Sequence, residues 1–318
     1  MRCCVKNKKA EFGFVWFFAI IAGIAILLLS IYGATKIGGG MKTQTDAEVA
    51  KKLTILTDPL EAGFTSTTFG VIKFQQNVWI ENSCNDFGFG YNSISARSES
   101  GIGKKYSDKL IPTIVKEKYV FGKNEDIGKI FYVLSKSFDF PYKISDFIIM
   151  ISDANEYCFV DAPDDVKEEL ESLKIPVVSF DNCSDDSVEV CFGGGNCDIV
   201  VTGNCESCQN FFDSGVVKLE DGSIVDYVGD LLYPAIFSEK DNYECNVRRL
   251  LYRGSVVAKI LARKAALMNA RGCSTNLELV LYGWSSALEN ATIEDMTGLY
   301  SDAVELEESR KWEVCGVW

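Results

Sequence analysis

The 318-residue chain carries 32 Lys and Arg against 45 Asp and Glu, a formal net charge of −13, and is 47% hydrophobic. It is too apolar for a disordered protein and long enough for one large domain or two ordinary ones. It contains no histidine, which excludes Ser-His-Asp and Cys-His catalysis, His-ligated zinc or haem, and a histidine pH switch. The acidic balance excludes general nucleic-acid binding, which needs a basic field.

Arg2, Lys6, Lys8 and Lys9 precede Glu11, and residues 12–35 carry no charge. As a helix this run would span about 36 Å, enough for a hydrocarbon core of ~30 Å. Trp16 and Tyr32 lie toward its ends, where amphipathic rings favour headgroups. A cleaved secretory signal would have a shorter apolar region, roughly 7–15 residues. The pattern predicts a basic cytoplasmic leader, 1–10, and a retained transmembrane signal-anchor, 11–37, with the lipid bilayer as partner. Positive charge before the span puts the N-terminus in the cytoplasm and residues 41–318 outside the cell membrane. Five basic residues and one acidic residue lie in 1–40, which leaves 27 against 44 beyond and a net charge of −17 there.

Lys8-Lys9-Ala10, then Glu11-Phe12 and a long apolar run, resembles the class III signal of archaeal type IV pilin-like proteins. The resemblance is confined to residues 1–40. It implies cleavage by a prepilin peptidase between Ala10 and Glu11, loss of Cys3 and Cys4 with the leader, and an apolar helix serving as anchor or filament core. Other envelope or filament subunits are the partners it implies.

Gly38, Gly39 and Gly40 form a hinge, and apolar residues at helical spacing over 45–56 predict a stalk helix, so 38–60 is assigned to hinge and stalk. Residues 61–240 predict a mixed α/β extracytoplasmic domain. Residues 68–97 alternate as strands, and 145–152 is a compact apolar strand. Cys158-Phe159-Val160 leads to a helix over 162–174, with Asp161 as its cap and Asp164 and Asp165 in its first turn, and then to a strand at 176–180. That makes one strand–helix–strand unit without a Gly-rich phosphate fingerprint. Residues 187–192 and 197–201 predict a hairpin across 193–196, and 216–219 with 224–227 a second.

The remainder, 241–318, predicts a helical region packing on that domain. A basic helix over 242–270 ends at Gly272, and acidic residues over 289–308 are expected to pair with it. Thr275 with Glu278, and Thr292 with Asp295, fit reciprocal helix caps. The fold class is α+β: an N-terminal transmembrane helix, a strand-rich disulfide-braced ectodomain and a C-terminal helical region.

Ten of the twelve cysteines lie beyond the apolar run, an even number that fits up to five disulfides in an exported chain. Cys191, Cys197, Cys205 and Cys208 cluster, but one pair alone has zinc-knuckle spacing, so disulfides are favoured over metal. If 193–196 makes a hairpin turn, Cys191 and Cys197 are directly opposed at a separation a disulfide spans. Cys205-Glu206-Ser207-Cys208 offers the alternative, a thiol–disulfide oxidoreductase, although Glu206 opposes thiolate formation. Asn182-Cys183-Ser184 and Asn290-Ala291-Thr292 are glycosylation sequons on an exported chain. No cofactor is predicted. The sequence describes a single-pass, membrane-anchored cell-envelope protein with an acidic structural or binding domain.

Overall fold

The structure, a computed structural model, describes residues 17–32, 68–100, 105–106, 112–204, 211–313 and 315–318. The chain divides into two compact units, Met1–Asp46 and Ala47–Trp318. In the first, residues 17–32 form helix α1, whose apolar side chains face outward all round; Phe17, Phe18, Leu27 and Leu29 are each more than 60% exposed. Among the described residues no helix is long and apolar enough to cross a membrane. The Ala10–Glu11 junction, the hinge and the stalk fall outside the described residues.

The second unit contains a seven-stranded sheet and a six-stranded sheet. The first is built from β1 (Thr68–Asn85), β2 (Tyr91–Ser100), β3 (Lys105–Tyr106), β4 (Thr113–Lys116), β5 (Val120–Phe121), β6 (Glu125–Asp139) and β7 (Lys143–Ser152). Its order is β3-β2-β1-β6-β7-β5, with β4 also on β2. One edge is therefore held by β4 and the other by β5, which are joined through Glu117, Lys118 and Tyr119. The sheet curls until a single segment, 113–121, bridges its two edges, kinked at Glu117 with φ +59°. Inside the curl lies a small core that includes Ile72, Val78, Ile94, Val120, Phe131 and Ile148. The opposite face, with Tyr132, Leu134, Phe147 and Ile149, joins a larger core shared with the second sheet and the helices.

A kinked seam leaves carbonyls with no strand to pair with, and buried carbonyls need donors. Helix α4 (Lys240–Ala270) supplies them. Arg249, fully buried, donates from Nη2 to Lys118 O (2.9 Å), from Nε to Phe89 O (3.0 Å), and from Nη1 to Asn92 Oδ1 (2.6 Å) and Asn246 Oδ1 (2.8 Å). Val120 O accepts from the side-chain amides of Asn82 (2.9 Å), Asn92 (3.1 Å) and Asn246 (3.1 Å). The guanidinium is solvated by four neutral oxygens rather than by a carboxylate and lies 4.7 Å from the Tyr119 ring centroid. Burial pulls its pKa down to about 10, still protonated at neutral pH. A disulfide from Cys84 on β1 to Cys245, one helical turn before Arg249, ties the same two elements covalently.

The second sheet contains β8 (Tyr157–Val160), β9 (Val178–Phe180), β10 (Val188–Phe192), β11 (Ile199–Gly203), β12 (Ser214–Lys218) and β13 (Ile224–Val228), in the order β13-β12-β11-β10-β8-β9. Helix α2 (Asp164–Leu173) carries the crossover between β8 and β9, which pair in parallel. Asp161 does not cap α2: it sits at φ +54° and the N-cap position is Pro163. The β12–β13 hairpin forms in antiparallel register.

The hairpin expected across 193–196 does not form, because β10 and β11 are parallel, with Cys191 opposite Val200. Parallel neighbours usually need a dozen or more connecting residues. Here two short returns bring the chain back, 193–198 from β10 to its neighbour β11 and 181–187 from β9 past β8 to β10, and each is stapled. Cys183 is bonded to Cys158 on β8, and Cys197 to Cys191 on β10. Gly193, Gly194 and Gly195 all have positive φ (81°, 128° and 133°), and a Cβ on Gly195 would meet Cys191 Sγ at 3.3 Å. Three glycines therefore serve this return.

Helices α3 (Leu232–Phe237), α4, α5 (Leu277–Asn290) and α6 (Met296–Lys311) close the large core, with α6 on β12 and β13. The basic face of α4 does not pair broadly with the acidic residues over 289–308; Lys259–Glu289, at 2.6 Å, is the ion pair the structure gives between them. Arg253 instead donates to Ile144 O, Lys264 to Val317 O, and Arg248 pairs with Asp86. The Thr292–Asp295 capping box is present. Thr275 accepts from Leu277 N–H, but Glu278 makes no reciprocal bond and Asn276 occupies the N-cap. A disulfide between Cys273 and Cys315 fastens the chain after α6 to the α4–α5 connection.

Candidate functional site: a cleft at the start of the long helix

A cleft of about 360 Å³ opens where both sheets meet the start of α4. Its floor is apolar: Tyr157 at the head of β8, Ile199 at the head of β11, Leu219 just past β12, and Ile236 and Phe237 at the end of α3. Tyr157 and Phe237 pack edge to face with centroids 4.9 Å apart. Burial, with the Glu220, Asp126 and Glu239 carboxylates around it, raises the Tyr157 phenol well above the usual range and keeps it neutral.

Charges of both signs line the rim. Lys123 and Lys240 supply cations; Glu220, Asp221, Glu239 and Asp241 supply carboxylates. Several are held in place. Lys123 donates to Asn155 Oδ1 (2.8 Å), and Asn155 donates to Asp126 Oδ1 (3.1 Å). Asn124 donates to Glu239 Oε2 (2.8 Å). The Asp126 carboxyl is buried and raised above 3.8 by desolvation, against the pull of hydrogen bonds from Ser152, Asn155 and Ile127 N–H and of the Lys123 charge.

Ser238 lies between α3 and α4 and lines the cleft. It is 6% exposed, yet its hydroxyl has no hydrogen-bond partner among the described residues. Ser238-Glu239-Lys240-Asp241 has capping-box spacing, but Glu239 occupies the N-cap and makes no side-chain capping bond. An unused buried hydroxyl beside the positive end of a 31-residue helix favours an anionic group, and the Glu220–Asp221 turn favours a cationic one. This lining holds neither histidine nor cysteine.

The cysteine pair of the alternative reading, Cys205 and Cys208, lies outside the described residues. Asn182 is exposed on the return after β9. Asn290 is exposed at the end of α5, where its amide donates to Ser286 O (2.8 Å). The sequence reading missed the cleft, whose lining comes from five separated segments; the capping-box spacing at Ser238 was the one local signal. No family model, curated protein or solved structure matches the chain.

Proposed function

We propose that the chain is a membrane-anchored extracytoplasmic binding protein of the cell envelope, whose cleft takes a small ligand bearing both an anionic and a cationic group. The observation that carries the location is the bracing of the second unit by the disulfides Cys84–Cys245, Cys158–Cys183, Cys191–Cys197 and Cys273–Cys315, bonds that persist in oxidising compartments. The outward apolar surface of α1 supports an anchor, since contiguous exposed apolar surface of that extent marks a lipid or protein contact. The unpartnered Ser238 hydroxyl in a ligand-sized cleft supports a binding role. A pilin-like leader, cut between Ala10 and Glu11, completes this reading, with the N-terminus in the cytoplasm and other envelope subunits as neighbours.

Protease added to intact cells should degrade residues 41–318; degradation confined to lysed cells would reverse the topology. N-terminal sequencing of native protein should begin at Glu11, and a Met1 or Arg2 start would remove the pilin-like leader.

A further inference from the structure

The turn between β1 and β2 holds an aromatic side chain out in water on a rigid mount. Phe87 is 91% exposed and Phe89 45%. The mount is fixed from several directions: Phe87 N–H donates to Asn85 Oδ1 (3.2 Å) and Gly90 N–H to Phe87 O (3.1 Å). Asp86 pairs with Arg248 at 2.6 Å, Phe89 O accepts from buried Arg249, and the Phe89 ring packs edge to face on Tyr252 at 5.2 Å. The Cys84–Cys245 disulfide closes the base. A floppy turn could hide Phe87; this one keeps it in solvent, a standing cost that an apolar contact would relieve.

Beside the turn runs a groove of about 690 Å³ lined by Lys116, Lys118, Lys143 and Arg253 against Glu117 and Asp146. Turn and groove are contiguous: Arg249 bonds Phe89 O on one side and Lys118 O on the other, and Tyr91 is the register partner of Lys116. Lys143 is paired with Asp146 at 2.8 Å and Lys118 is buried, so Lys116 and Arg253 carry the positive charge of the groove, in contrast with the net −17 of residues 41–318. An aromatic wedge flanked by cations complements an interface with negative charge outside and hydrocarbon within.

We infer that this face, Phe87 and Phe89 with the Lys116–Arg253 groove, docks on an anionic phospholipid surface and orients the domain against it. The inference rests on the membrane reading above, and the experiment separates the two. Purified full chain is mixed with vesicles of phosphatidylcholine alone, or with roughly one-third phosphatidylglycerol added to give a negative surface. Flotation reports attachment, and amide hydrogen exchange over 85–91 and 114–119 reports docking.

Anionic vesicles should slow exchange in both segments by about tenfold relative to neutral ones. About 1 M salt, where the Debye length falls to ~3 Å, should reverse most of the slowing. The double variant Phe87→Ser, Lys116→Glu should float as well as the parent and lose the slowing. Flotation with equal exchange in both lipids overturns the docking face and leaves the anchor. Flotation with anionic vesicles alone keeps the docking face and removes the anchor; flotation with neither removes both. Slowing that follows protein concentration rather than lipid assigns the face to a second copy of the chain and overturns the inference.

Discussion

Gly90 lies directly beneath the Arg249 side chain: a Cβ built on Gly90 would stand 2.9 Å from both Cδ and Nε of the arginine and collide with the Asn85 carbonyl. Its φ is +56°, a region that penalises any side chain. Gly90→Ala must therefore twist the turn or displace a guanidinium that donates to Phe89 O, Lys118 O, Asn92 and Asn246. The expected loss of stability is about 3 kcal/mol, read as a lower denaturant midpoint at unchanged slope. A cost below about 1 kcal/mol would mean that the turn relaxes freely, and would weaken the case for a rigid mount.

The disulfides should rank by the chain they close. Cys84–Cys245 spans 161 residues and Cys191–Cys197 spans 6. By loop-closure entropy, replacing both cysteines with serine should cost about 5 kcal/mol for the first and about 2 kcal/mol for the second. Equilibrium denaturation of the two double-serine variants tests the order, and equal costs would show that native-state packing governs instead.

Asp126 should make the protein respond to acid against the usual trend. Its carboxyl is raised in the folded state, chiefly by burial. A carboxyl with a raised folded pKa contributes most below its unfolded value, 3.8, and loses that contribution as pH rises through the folded value. The parent should therefore gain stability on Asp126→Asn as pH falls from about 7 to about 4. If the parent loses ground instead, hydrogen bonds from Ser152 and Asn155 outweigh desolvation.

Two helix starts with the same sequence pattern should answer differently to mutation. Thr292 and Asp295 bond reciprocally, whereas Glu278 does not reach Thr275. Thr292→Ala should cost about 1 kcal/mol, and Glu278→Ala less than about 0.5 kcal/mol. Thermal unfolding of the two variants decides it, and equal shifts would deny the difference between the caps.

These contrasts show where local pattern carries structure. The β12–β13 hairpin and α4 were legible because each shows one side to the core and the other to water or to polar partners. Strand β6 was not, because Phe131 and Val133 enter the small core while Tyr132 and Leu134 enter the large one, which erases alternation. The glycines at 193–195 announced a turn but not its direction: their positive φ values return the chain to a parallel neighbour, something no short-range pairing rule anticipates. The cleft escaped for a different reason. Lys123, Tyr157, Leu219 and Ser238 meet only when both sheets and α4 are assembled, so their spacing in sequence carries no signal.

The seam at 113–121 also sets an order of events during folding. Its first half pairs with β2, which has already been synthesised, but its second half waits for β7, and the Lys118 carbonyl waits for Arg249. Closure of the first sheet thus depends on a helix more than a hundred residues downstream. Contacts so distant along the chain are slow to form and leave strand edges open in the meantime. A fragment ending before α4 should accordingly remain an unclosed, association-prone sheet, and the span Ala47–Trp318 should be gained or lost as one cooperative piece.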